Sequence, residues 1–400
     1  MAEVDRRAAL TLLGGGIATA PLWAQSLVDL HLPDGNGARP LTDAFPGKRG
    51  MILQRTRAPL LETPLSAFDG QVFTPNDRFF VRWHYDDIPL SVDPAAFRLE
   101  IGGAVKQQLS LTLDELAAMP RVELAAVNQC SGNSRGLFTP RVPGAQWGNG
   151  AMGNARWAGV RLKDVLNRAG VAPGAVQVRF SGLDNPPPGA PAFAKSLDLA
   201  HAMDGEVMIA FLMNGEQLPL LNGFPLRLVV PGWYSTYWVK ALNRIEVLTA
   251  PDSGYWMEKA YRIPTAPHAD VPPGAKDFPT VPINRMVPRS FITNIADGAR
   301  VKAGAPLALR GIALGGAAGV SKVDISRDGG GTWQATTLGP DEGQYSFRLW
   351  RASLPALPPG DHRIAVRCTN AASETQVATP IWNPSGFMRN PIETIAVRAA

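Results

Sequence analysis

The sequence predicts an α+β domain followed by an all-β sandwich, and three observations predict it. Short helical and strand patterns alternate irregularly up to about residue 263, without the regular βαβ succession of a doubly wound sheet. A proline-dense stretch, 264–288, then interrupts every periodic pattern and reads as a linker packed against the first domain. Beyond it, over 289–400, short alternating strands recur at even spacing with glycine-rich turns. With 400 residues, 45% hydrophobic and 18% charged, the chain is long enough for two cores and too apolar for disorder. Its 40 Gly and 36 Pro follow no period, so many turns are expected rather than a repeat.

At the N-terminus, Asp5-Arg6-Arg7 precedes a weakly apolar run that is rich in Gly, Ala and Leu up to Ala24. This is the pattern of a twin-arginine export signal over 1–24, which predicts a periplasmic protein; an amphipathic terminal helix is the competing reading. No later run is apolar for long enough to span a bilayer, so no membrane anchor is expected. A net charge of +5 with no Lys/Arg run longer than two argues against a nucleic-acid groove and suits a small anion.

The first domain is expected over 40–263, after a Pro/Gly-rich lead. Asp77-Arg-Phe-Phe-Val-Arg82-Trp-His84 mixes aromatics with cations, and 97–101 alternates like a strand. Thr112 and Glu115 have capping-box spacing before a short helix that Pro120 stops. The apolar run 121–127 reads as a strand, 159–170 as an amphipathic helix closed by Gly170, and 176–180, 207–213, 226–230 and 237–247 as further strands. In the second domain, strands are expected at 307–311, 320–326, 344–350 and 360–368, with a turn at Asp328-Gly-Gly-Gly-Thr-Trp333; this is a sandwich of immunoglobulin size without the paired cysteines of a true immunoglobulin.

Only Cys130 and Cys368 are present, too few for a zinc or iron–sulfur cluster. Cys368 ends a strand and reads as a core thiol. Cys130 stands where the 121–127 strand gives way to the turn-rich Ser131-Gly-Asn-Ser134, a position for a ligand or nucleophile. A thiolate at neutral pH needs a metal or positive charge nearby, and Arg135, Arg82 and His84 are available. A packed thiol is the alternative.

Taken together, Phe80-Val-Arg82-Trp-His84, Gln129-Cys130-Ser-Gly-Asn-Ser-Arg135, Trp147, Gly182-Leu-Asp184, Asn222-Gly-Phe-Pro-Leu-Arg227, the run Pro231–Lys240 and Asp328–Trp333 resemble the sulfite oxidase family of molybdenum enzymes, in particular its bacterial periplasmic sulfite dehydrogenases. The resemblance implies a molybdopterin-binding catalytic domain followed by an immunoglobulin-like domain of the dimerisation type. It implies Cys130 as the single protein ligand to molybdenum, and Arg82, Arg135, Trp147 and Tyr261 as the lining of an oxyanion pocket. His84, Asp184, Asn222, Arg227 and Lys240 correspond to residues on the molybdenum-molybdopterin cofactor, although animal members carry His where Asn222 stands. The implied reaction is oxidation of sulfite to sulfate, with one-electron transfers to a c-type cytochrome as acceptor or subunit; no haem is expected in this chain, and a homodimer and a heterodimer with a cytochrome subunit both stay open. Animal and plant members also bring an Arg into the pocket from a glycine-rich turn of the second domain, whereas Gly315-Gly-Ala-Ala-Gly-Val320 has none and leaves Arg310 and Lys322 as unassigned substitutes. A sulfane dehydrogenase or sulfoxide reductase of the same family stays open as an alternative, as does a non-catalytic anion-binding protein. A cysteine hydrolase lacks any local His–Asp pairing.

Overall fold

The computed structural model describes residues 26–400; the twin-arginine segment lies outside the described residues. Three sheets carry the first part of the chain. The strands Leu27–Asp29, Ala38–Thr42, Met51–Arg55, Leu60–Glu62 and Val81–Arg82 form an antiparallel meander. What reads in sequence as an irregular lead therefore contains four short strands. The strands of the meander have two to five residues, too few for an alternation to register without the partner strand. A mixed sheet follows the order Ala194–Asp198, Gln177–Gly182, Leu242–Leu248, Leu99–Gly103, Leu109–Leu111, with the third and fourth parallel. In the third sheet, Arg121–Gln129 pairs antiparallel with Met152–Arg161, which pairs with Met208–Met213; Arg227–Val229 and Glu216–Gln217 pair with that last strand.

The helices are short. Leu113–Ala117 starts at the expected capping box, in which Thr112 Oγ1 accepts from the Glu115 amide and the Glu115 carboxylate accepts from the Thr112 amide. Leu162–Ala169 ends at Gly170 in the left-handed region (φ 69°) and buries Leu162, Val165, Leu166 and Ala169. It is shorter than its sequence pattern, because Gly159-Val-Arg161 belongs to the preceding strand. There the Gly159 backbone packs so tightly on the Ile209 carbonyl that any side chain would collide, and pairing overrides local helical periodicity. The expected strand 237–247 likewise begins only at Leu242, since Ala241 adopts φ 47° and Ser235–Tyr237 is a 3-10 turn. The proline-dense stretch is partly ordered by pairing: Thr280–Pro282 runs antiparallel to Arg262–Pro264.

From Arg289 onward the chain is an all-β sandwich. One sheet orders Arg289–Ile292, Leu307–Leu314, Arg348–Leu354 and Thr337–Leu338; the other orders Ala299–Val301, Glu393–Ala399, Gly360–Asn370, Val320–Ser326 and Gln334–Ala335. Leu309 and Trp350 of the first pack against Val323, Ile364, Val366 and Cys368 of the second. Cys130 and Cys368 are both buried free thiols. A further apolar cluster joins the two parts: Phe68, Val127, Met152 and Tyr234 pack with Phe291, Ile312, Phe347 and Phe387. Burial of these large side chains, each stabilising by about 1.5–3 kcal/mol, fixes the sandwich against the back of the Cys130 strand. No described helix is long and apolar enough to cross a membrane.

Candidate active site

Cys130 follows the last residue of the strand Arg121–Gln129, and its position is set by backbone bonds on both sides. Its amide donates to Ala151 O (2.9 Å) and its carbonyl accepts from the Asn133 amide (2.9 Å). Asn133 is buried and ties the loop down again, its Oδ1 accepting from the Ala151 amide and its Nδ2 donating to Asn149 O. Ser134, at φ 67°, turns the chain into the 3-10 segment Arg135–Leu137. Gly132 is required by Arg135: a Cβ there would stand 2.6 Å from the guanidinium carbon. The Cys-Ser-Gly-Asn-Ser-Arg run is thus one packed unit that presents a thiol and a guanidinium together.

A small cavity opens beside it, lined by Cys130 and by Arg82, His84, Asn222, Arg227, Lys240 and Tyr261. Seven residues singled out from sequence therefore meet here. They arrive from a two-residue strand, a strand end, a 3-10 turn, a buried three-residue strand and three loops. Arg135 and Asp184 stand behind the lining but within electrostatic reach: Arg135 feels Cys130, Tyr261 and Arg82, and Asp184 opposes Lys240. Trp147 does not line the cavity; it is 1% exposed, packs in the main core, and its carbonyl accepts from the Gly136 amide.

Arg227 lies between Trp157 and Trp238, with Cζ 5.2 and 5.7 Å from their ring centres. Its Nη1 donates to Asn222 O (2.9 Å) and Nη2 to Asn128 Oδ1 (3.1 Å), while Nε has no partner. Lys240 sits over the Trp83 ring at 4.4 Å. Burial, with Arg227 and Arg82 as like charges, lowers its ammonium to about 7 despite Asp184 and Cys130, and burial alone takes Arg227 to about 9. Asn222 does not offer its side chain to a ligand: Oδ1 accepts from Lys48 Nζ (2.5 Å) and Nδ2 donates to Phe80 O (3.0 Å). His84 stacks on Phe193 (3.8 Å between centres) and shares a 2.7 Å hydrogen bond with Tyr261 Oη. Burial, then Arg82, Lys240, Lys195 and Arg55, holds its imidazole well below the usual range, and burial raises the Tyr261 phenol.

Sequence reasoning missed Lys48, Lys195, Asn128, Phe193 and Phe387. Lys195 lies in the strand Ala194–Asp198, fully buried, with Nζ donating to Trp256 O (2.7 Å) and packed over the Tyr237 and Tyr261 rings. Nothing local marks it, because a lysine in a strand is ordinarily solvated. Conversely, Arg310 pairs with Asp69 (2.6 Å) and Lys322 with Asp324 (3.0 Å), so both unassigned cations of the second domain are engaged elsewhere.

The donor set fits a bound anionic cofactor with a soft metal. Arg82 Nη1, Asn128 Nδ2, Ser131 Oγ and Arg227 Nε are buried around the cavity without partners. Such donors are costly unless a ligand supplies acceptors, and crowded cations need an anion between them. Among the described residues no three His, Cys, Asp or Glu side chains gather, and Cys130 is the soft donor that the cavity lining offers to a metal.

Comparison with known proteins agrees with this reading. Residues 85–256 match the oxidoreductase molybdopterin binding domain and residues 280–400 the Mo-co oxidoreductase dimerisation domain. The chain is 32% identical to sulfite oxidase of Gallus gallus over 94% of its own length and 88% of that protein, and 31% identical to sulfite oxidase of Arabidopsis thaliana over 84% and 91%. It is 37% identical to mitochondrial sulfite oxidase of Homo sapiens over 82% of its own length, and spans 62% of that longer protein. Its fold is similar to the sulfane dehydrogenase SoxCD from Paracoccus pantotrophus, with a TM-score of 0.75, 23% identity, and coverage of 96% of this chain and 92% of that one. With its Cys130 loop, its cation-lined cavity and both family domains in order, the chain belongs to the sulfite oxidase family of molybdopterin-binding oxidoreductases.

Proposed function

We propose that this chain oxidises sulfite to sulfate in the periplasm, with electrons passing one at a time to a c-type cytochrome. The observation that carries the reading is the convergence of Cys130, Arg82, Arg227 and Lys240 on one cavity whose buried donors lack partners. Cys130 would hold the metal; Arg227, Lys240 and Asn128 would hold the anionic and acceptor groups of the pterin. When bound, the molybdenum cofactor supplies the redox change and oxygen transfer. The remaining work falls to the chain. Arg82 supplies an unpaired Nη1 at the cavity and Arg135 adds charge from behind, so an oxyanion would be held by one guanidinium donor and attracted by a second guanidinium at longer range. Sulfite and water yield sulfate, two protons and two electrons, and the His84–Tyr261 hydrogen bond sets a neutral donor–acceptor pair in the cavity lining, able to orient a bound oxyanion or water.

Export by the twin-arginine route and pairing of two chains through the C-terminal sandwich complete the reading. The test is molybdenum content by mass spectrometry on protein from a host that makes molybdopterin, followed by sulfite-dependent reduction of cytochrome c. Stoichiometric molybdenum with turnover supports the proposal. Molybdenum without sulfite turnover moves the substrate to a sulfane or sulfoxide, and protein free of molybdenum returns Cys130 to a core thiol.

A further inference from the structure

We propose that Phe387 is a positioning residue through which the C-terminal sandwich sets the affinity of the cavity for an oxyanion, by clamping Arg135 and Tyr261 together. The inference rests on reading the cavity as an oxyanion pocket. One ring touches both groups: Phe387 lies parallel to Tyr261, with centroids 5.5 Å apart at 5°, and Arg135 Cζ stands 5.0 Å from its centre. A cation and a phenol from different parts of the first domain are thereby held by one side chain of the second.

The loop carrying Phe387 is built for this contact. Asn383, fully buried, accepts from the Phe387 amide (3.1 Å), donates to the Phe387 carbonyl (3.0 Å), and offers its own carbonyl to the Gly386 amide (3.0 Å). Gly386 adopts φ 59°, and a Cβ there would lie 2.8 Å from Arg135 Cγ, so the loop is moulded to the arginine stem. Arg135 Nε donates to Ser385 O (3.2 Å), Met388 N donates to Ser131 O (3.1 Å), and Ser385 Oγ donates to Arg262 O (3.2 Å). These bonds reach the Cys130 loop and the residue after Tyr261. The glycine-rich turn 315–320 contributes no cation, and Arg310 and Lys322 are paired elsewhere. Phe387 thus orders a cation already present in the first domain and adds no charge of its own.

The test is calorimetric binding of sulfate to the metal-loaded protein, alongside sulfite kinetics. Phe387→Leu is expected to weaken sulfate binding by about fivefold to tenfold and to raise KM for sulfite in parallel, with kcat changed less than KM. Phe387→Tyr is expected to restore the affinity. Because Phe387 acts by holding Arg135 against Tyr261, the double variant Phe387→Leu/Arg135→Gln should lose less affinity than the sum of the two single losses. Additive losses, wild-type affinity in Phe387→Leu, or no sulfate binding by the wild-type protein would each overturn the proposal. If Phe387→Leu does not fold, Phe387→Met is read by the same criteria. Sulfate binding with this pattern in a protein that does not turn over sulfite would leave the clamp standing and remove only the substrate assignment.

Discussion

His84 Nε2 and Tyr261 Oη are hydrogen-bonded at 2.7 Å although 177 residues separate them. Burial and the surrounding cations keep the imidazole uncharged, and burial keeps the phenol protonated. Nitrogen-15 spectra of histidine-labelled protein should therefore contain one imidazole that keeps neutral-form shifts at about pH 6. Below the ordinary value of 6.5 the unfolded chain takes up a proton that folded His84 refuses, so this group lowers stability as pH falls. A His84 resonance that protonates by about pH 6 would contradict the buried pair.

Arg82 places an unpartnered Nη1 in the cavity. Arg82→Ala should lose about 2–4 kcal/mol of transition-state stabilisation, the scale of one preorganised donor at an oxyanion site. Stopped-flow measurement of the second-order rate constant with sulfite checks it; a wild-type value would remove Arg82 from the pocket.

Lys48, Lys195 and Lys240 are each lowered to about 7, with burial the largest cause. Above that pH the folded chain binds fewer protons than the unfolded chain, whose lysines titrate near 10.5. Cofactor-free protein should therefore gain stability as pH rises above about 7, read as an upward shift of the urea midpoint. Lys195→Met should make that rise shallower, and an unchanged slope would show that Lys195 is not buried as a cation.

Gly132→Ala puts a methyl 2.6 Å from the Arg135 guanidinium carbon. The far end of a flexible side chain can move, so the cost should fall on the site and not on the fold. The melting temperature should shift by only a few degrees, roughly the effect of 1 kcal/mol, while sulfate affinity falls. Loss of folding with no change in affinity per folded molecule would place the constraint elsewhere.

The site was legible where chemistry sits in a local motif. Cys130, Arg135 and the glycine between them form one loop, and the Thr112–Glu115 cap and the strand Val320–Ser326 lie where their patterns place them. Lys195 and Lys48 were not legible, since only burial against Trp256, Tyr261 and Asn222 turns ordinary lysines into site cations. Gly159-Val-Arg161 shows the same limit for the fold: a helical period there gives way to pairing with Met208–Met213.

By itself the sequence determined the α+β domain with its sandwich, the thiol at a strand end, and the residue types able to hold an oxyanion. These depend on periodicity, turn chemistry and charge, which are properties of neighbours in the chain. Only the tertiary structure decided that Arg82, Arg227, Lys240 and Tyr261 share one cavity with Cys130, that Asn222 spends its amide on Lys48, and that Phe387 of the second domain braces Arg135. Those relationships come from packing between segments far apart in sequence, where desolvation and close contact set which charges meet and which polar atoms are left for a ligand.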